Sequence, residues 1–162
     1  MRHTINLLLE NKMGSLSRIA GLFLARGYNI DSISVGDAEE AGLSRMTIVT
    51  HGEDRIIEQI TKQLNKVVDV LKVFDLTMEP FVHRELVLIK VQATASKRSE
   101  IMQIVDVFRA KIIDISPQTV TIEATGTEDK VNAIINMLRP FGLKAVSRTG
   151  RVALKREFQG ET

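Results

Sequence analysis

The 162-residue chain contains no cysteine, which excludes disulfides, thiolate metal sites and a cysteine nucleophile. It has no tryptophan, and aromatic residues amount to only 4%. RNA-binding modules that stack bases on aromatics have little to work with here. Prolines number 3, and no apolar run approaches the ~18–20 residues that cross a bilayer. A one-signed charge is also missing. Lys plus Arg is 22 against Asp plus Glu at 20, a net +2, and the pI near 9.0 reflects that slim excess. Such a scattered balance predicts neither a nucleic-acid surface nor a membrane surface. The strand-like start at Arg2 leaves no room for a signal or transit peptide, so a soluble cytoplasmic protein is expected.

What is present is ordinary globular material, 44% hydrophobic and 26% charged, arranged as one pattern written twice. His3–Leu9 is strand-like, and Asn11–Ser15 is turn-forming. Leu16, Ile19, Ala20, Phe23 and Leu24 then recur at helical spacing, closed by Arg26-Gly27. Tyr28–Gly36 and Leu43–His51 read as a hairpin about Asp37–Gly42. A helix follows with Ile56, Ile60, Leu64, Val67 and Val68 on one side, and Val70–Met78 is a fourth strand. Pro80 marks 79–84 as a linker, after which the order restarts. Leu86–Ala93 is a strand, and Ile101, Ile104, Val105 and Phe108 form a helix face. Lys111–Ser116 and Gln118–Thr125 are strands, Val131, Ile134, Ile135 and Leu138 form a helix face, and Leu143–Arg148 is the last strand.

The expected class is therefore α+β, with two tandem ferredoxin-like βαββαβ domains at 1–78 and 85–162. Each would have strand order 4-1-3-2 and both helices on one face. Ile5-Asn6-Leu7-Leu8-Leu9 is apolar on both sides, so a partner sheet from another subunit or the other domain is expected over the second face.

No catalytic constellation is visible. His3, His51 and His83 lack metal-ligand spacing and read as surface histidines, and no phosphate loop, nucleophile elbow or metal motif occurs. The basic residues Arg148, Arg151, Lys155 and Arg156 lack interleaved aromatics and read as a solvated tail. The informative stretch is Glu10–Arg18. A helix N-terminus there would hold a carboxylate, Gly14 would allow close approach, and Asn11 could bond an amino or carboxyl group. Asn29 could present a second amide near the same spot. Turn and cap roles for Asn11, Gly14 and Ser15 are the competing reading.

Glu10–Arg18 (E-N-x-x-G-x-L-x-R), Arg26–Ser32 (R-G-Y-N-I-D-S) and Leu43–Thr47 (L-S-R-M-T), with Gln63–Lys66 and Val68–Val70, resemble an ACT domain. More narrowly, the whole chain resembles the small, regulatory subunits of acetolactate synthase (acetohydroxyacid synthase). The resemblance implies a non-catalytic homodimer that binds and activates a large catalytic subunit and confers feedback inhibition by valine, or by leucine or isoleucine. Thiamine diphosphate, Mg and FAD would belong to that catalytic subunit and no metal to this chain. It further implies an effector site at Asn11, Gly14, Ser15 and Leu16, facing Asn29 and Ile30 of a second chain. The second copy's loop, Thr94–Ser99, has neither the Asn nor the Gly, and reads as a packing or contact domain. A free-standing ACT-type sensor acting on another enzyme or on transcription is the alternative.

Overall fold

The computed structural model describes residues 1–157, which form two compact units. The first spans Met1–His83 and takes in the segment from Arg151; the second spans Arg84–Gly150.

In the first unit, β1 (Arg2–Glu10), α1 (Ser15–Ala25), β2 (Ile30–Asp37), β3 (Leu43–His51), α2 (Asp54–Leu64) and β4 (Val70–Asp75) follow in the expected order. The antiparallel sheet runs β2-β3-β1-β4, leaving β2 and β4 at the edges. Alternation along β1 turns Ile5, Leu7 and Leu9 to the helices, where they join Met46, Ile48, Ile19, Phe23, Ile57, Ile60 and Leu64 in one core. The β2–β3 link closes as a hairpin: Ala38 donates to the Leu43 carbonyl at 2.9 Å, and Gly42 sits at φ 82°.

Three details of the packing differ from expectation. On α1 the buried residues are Ser15, Ile19 and Phe23, while Leu16 and Leu24 are exposed. On α2 they are Ile57, Ile60 and Leu64, because the helix ends at Leu64 and leaves Val68 outside it in solvent. His3 is not a surface histidine. It faces the helices beside Ile5 and is buried, with Nε2 3.1 Å from Asp54 Oδ1 and Nδ1 3.2 Å from Thr77 Oγ1.

The second unit repeats the order with β5 (Phe81–Gln92), α3 (Arg98–Val107), β6 (Lys111–Ile115), β7 (Thr119–Gly126), α4 (Glu128–Leu138) and β8 (Leu143–Arg148), its strands ordered β6-β7-β5-β8. Val87, Ile89, Val91, Val120, Ile122, Ile101, Val105, Val131, Ile134, Ile135 and Leu138 are its core. Glu85, buried at the start of this unit, is clamped by Arg148 at 2.5 and 3.2 Å, and that contact holds the guanidinium's pKa above its ordinary value.

The chain divides differently from expectation at both ends of the second repeat. The expected linker 79–84 is partly strand, since β5 begins at Phe81. The segment from Arg151, assigned to the second domain by order of sequence, returns to the first unit as β9 (Val152–Lys155). Residues 158–162 of that expected domain lie outside the described residues.

The reason is the second face of the first sheet, which carries Thr4, Asn6, Arg45 and Thr47, polar groups that need partners once buried. Arg151 Nη1 donates to Thr4 Oγ1 at 2.7 Å, Asn6 Nδ2 donates to the Ala153 carbonyl at 2.7 Å, and Ala153 N donates to Thr47 Oγ1 at 3.3 Å. Arg45 completes Asn6 by donating to its Oδ1 at 3.0 Å. The cover is thus the chain's own C-terminal strand. Lys155 reaches Glu79 at 2.9 Å, and the Arg151 guanidinium lies 5.9 Å from the Phe81 ring centroid.

Asn6→Ala strands the Ala153 carbonyl and an Arg45 donor together, so it should cost about 1–3 kcal/mol of stability. Urea unfolding of the two proteins measures the difference. Equal midpoints would show that β9 does not depend on this asparagine.

Candidate functional site

The turn between β1 and α1 is built around a buried carboxylate. Asp69, at the end of the α2–β4 connection, has a side chain only 5% exposed. Its backbone carbonyl accepts from Glu10 N at 2.8 Å, closing the end of β1. Its carboxylate accepts from Ser15 Oγ at 2.9 Å and from the Arg18 guanidinium. These two donors hold its carboxyl below the ordinary carboxylate value, Arg18 contributing most and burial opposing. Arg18 reaches Asp69 because helical side chains lean toward the N-terminus.

Gly14 is the residue on which the turn pivots. It precedes Ser15 at φ 84°, in the left-handed region that side chains with a Cβ seldom adopt, and no side chain caps the helix. A Cβ there would lie 3.1 Å from Arg18 Nη1. Around it, Asn11 N donates to the Gly42 carbonyl at 2.9 Å, Ser15 N donates to the Lys12 carbonyl at 3.3 Å, and Arg18 N donates to the Gly14 carbonyl at 3.0 Å. The N–H groups of Leu16 and Ser17 have no acceptor among the described residues. They leave an open donor pair at the positive end of α1. Lys12 is engaged with Glu10 at 2.6 Å, and that hydrogen bond raises its pKa.

Of the expected site residues, the structure brings Asn11, Gly14, Ser15 and Leu16 together on this turn. Asn11, Gly14 and Leu16 face solvent, whereas Ser15 is buried with its hydroxyl committed to Asp69. Ser15 therefore offers structure, not a free side chain.

Asn29 and Ile30 are elsewhere. Ile30 pairs with Thr50, while Glu10 pairs with Leu43 at the other end of β3. Seven residues of strand separate the two, about 23 Å at the usual rise. The expectation that Asn29 sits near Asn11 fails within one chain, because β2 runs back along β3 away from the turn.

Sequence reasoning missed Asp69 and the Arg18 contact, although both fall in the quoted motifs. An acid flanked by Val68 and Val70 was the available signal. Among the described residues no group of three or more His, Asp or Glu could hold a metal ion, and no helix is long and apolar enough to cross a membrane.

A βαββαβ unit whose glycine turn opens a helix N-terminus is followed by a second such unit, and the first is an ACT domain. Residues 5–72 match the family described as the AHAS small subunit-like ACT domain, and residues 84–157 match the one described as the small subunit of acetolactate synthase. Similar chains include the acetolactate synthase small subunit of Aquifex aeolicus, 52% identical over 97% of this chain and 82% of its own. A probable acetolactate synthase small subunit of Archaeoglobus fulgidus is 51% identical over 96% of this chain and 98% of its own. The crystal structure of the Thermotoga maritima small subunit superposes with a TM-score of 0.90 at 44% identity, covering 98% of this chain and 99% of that one. The chain belongs to the acetolactate synthase small subunits, the regulatory and non-catalytic subunits of that enzyme.

Replacing Asp69 with Asn should destabilise the protein at pH 7. A carboxyl whose folded pKa is depressed contributes stability above its unfolded value, near 3.8, and loses it as pH falls through the folded value. The gap between Asp69→Asn and the parent protein should accordingly close on acidification below about pH 4. Denaturant titrations at pH 7 and pH 3 test this, and a gap independent of pH would contradict the assignment.

Proposed function

We propose that this small subunit dimerises through β2, binds valine between two copies, and relays occupancy to the large catalytic subunit of a cytoplasmic acetolactate synthase as feedback inhibition. Without effector, its binding raises the catalytic subunit's activity.

The observation that carries this reading is the separation of the two halves of the expected site on one edge of the sheet. Strand β2 is an edge strand, unpaired on its outer side among the described residues. Two copies joined antiparallel through β2 would lay the start of one strand beside the end of the other. Asp37 at that end pairs with Ser44, next to the Leu43 that faces Glu10. The partner copy's Asn29 and Ile30 would thereby meet Asn11, Gly14 and Leu16. Helix α1 supports the same contact. Its Leu16, Ala20 and Leu24 recur every four residues, with Leu16 and Leu24 exposed, a second apolar stripe that the chain's own core does not use.

In the proposed site the effector carboxylate takes the open N–H groups of Leu16 and Ser17, and Gly14 leaves room for it. The amides of Asn11 and the partner copy's Asn29 hold the ammonium and carboxylate, and Leu16 and the partner copy's Ile30 take the side chain. Because each copy supplies half the site, binding favours one dimer arrangement, a coupling of about 1–3 kcal/mol to the catalytic subunit.

Gly14→Asp would set a carboxylate against Arg18 and in front of those N–H groups, filling the seat of the effector's own. Valine affinity should fall at least about tenfold, close to 1.4 kcal/mol. Calorimetry on the folded variant, with inhibition of the reconstituted holoenzyme by valine, leucine and isoleucine, measures it. Unaltered valine binding by that variant would remove the site from this turn.

A further inference from the structure

β2 does not meet β3 in an unbroken ladder. Ile30 lies opposite Thr50 and Ser32 opposite Val49, so Asp31 is an extra residue on the edge strand. Ile33 resumes the ladder opposite Ile48. Thr50 and Ile48 are two residues apart and share the helix-side face, so Ile30 and Ile33 share it as well, although they are three apart. Both pack against the helix-side core. In a regular strand, Asp31 would share the face of Ile33 and press a carboxylate toward that core, and Ile30 would turn to the other side of the sheet. The bulge reverses this. Asp31 is released to His51, whose Nδ1 lies 2.5 Å from Asp31 Oδ2, and Thr50 Oγ1 fixes the chain two residues earlier by donating to the Asn29 carbonyl at 2.6 Å.

We propose that the Asp31 bulge, held by His51, is the positioning device that aims Asn29 and Ile30 at the effector pocket of the partner copy and thereby sets which aliphatic side chain that pocket accepts. His51 acts through the bulge and does not touch the effector. The reasoning rests on the dimeric effector site proposed above. The α1 turn offers the effector main-chain donors that are indifferent to its side chain. Discrimination among aliphatic amino acids needs an apolar wall, and Ile30 supplies that wall only when the bulge keeps it on the helix side, where α1 of either copy lies. A one-residue slip would replace the wall with the Asp31 carboxylate.

The test is calorimetric titration of the full-length chain with valine, leucine and isoleucine in turn. His51→Ala should weaken valine about three- to fivefold, as expected for the loss of one partly exposed polar contact. It should also shift the valine-to-isoleucine affinity ratio, which a general loss of stability would leave unchanged. The exchanged pair Asp31→His with His51→Asp should restore valine affinity to within twofold of the parent. Should His51→Ala fail to fold, Asp31→Asn decides, with the same loss and ratio shift expected. Parent-like affinity and ratio in the loosened variant, or an exchanged pair that recovers nothing, overturns the positioning role while leaving the effector site standing. A parent chain that binds none of the three amino acids overturns both.

Discussion

Burying a carboxylate is costly unless its charge is matched and its lone pairs are filled, and at Asp69 that requirement organises the end of the first sheet. The residue binds three places at once: the last amide of β1 through its carbonyl, the first hydroxyl of α1 through its carboxylate, and Arg18 one turn further along the helix. With these contacts made, the chain between Glu10 and Ser15 has to reverse in four residues, and Gly14 accommodates the left-handed step. The open N–H groups of Leu16 and Ser17 are a consequence. Ser15, which elsewhere would cap its own helix, spends its hydroxyl on Asp69 instead, so the helix starts uncapped.

The second unit solves the same join differently. At its equivalent turn Arg98 folds back on the Ala93 carbonyl at 3.2 Å and on the Ser116 carbonyl, in place of the buried acid that Arg18 meets. Lys97, which precedes α3, has an ordinary right-handed conformation, so no glycine is called for. The two turns descend from one topology, yet only the first presents a left-handed glycine beside a guanidinium. The two units thus differ at this join more than in their fold.

A comparable economy governs the other face of the first sheet. Its row of Thr4, Asn6 and Thr47, with the half-buried Arg45 beside them, is too polar to be left dry and too buried to be left unpaired. Backbone groups of β9 meet that need, because a strand carries a donor and an acceptor at every residue. The asparagine at the centre, bonded on one side to Ala153 and on the other to Arg45, gives the strand a fixed place to sit.

Much of this was legible in the sequence because period and punctuation are local properties. Alternation of Val87, Ile89 and Val91 and of Val120, Ile122 and Ala124 marked the buried side of β5 and β7, helical recurrence placed all four helices, and the resemblance of the Glu10–Arg18, Arg26–Ser32 and Leu43–Thr47 motifs led to the family. Partnerships between distant residues were not legible, since nothing at Asp69 names Arg18, and nothing at Asn6 names Ala153, 147 residues away. Helix faces drifted where a helix stopped early, as at Val68, and His3 reads as an exposed strand end until Asp54 and Thr77 close over it. The sequence by itself determined the two βαββαβ repeats and the composition of the glycine turn, because those depend on short-range sterics and on burying apolar rows. Only the tertiary structure decided that Asn29 lies a full strand away from Asn11, that the tail returns to cover the second face of the first unit's sheet, and that an extra residue at Asp31 turns Ile30 inward. Each of these depends on which strand pairs with which and in what register, and that is settled by packing across the whole unit.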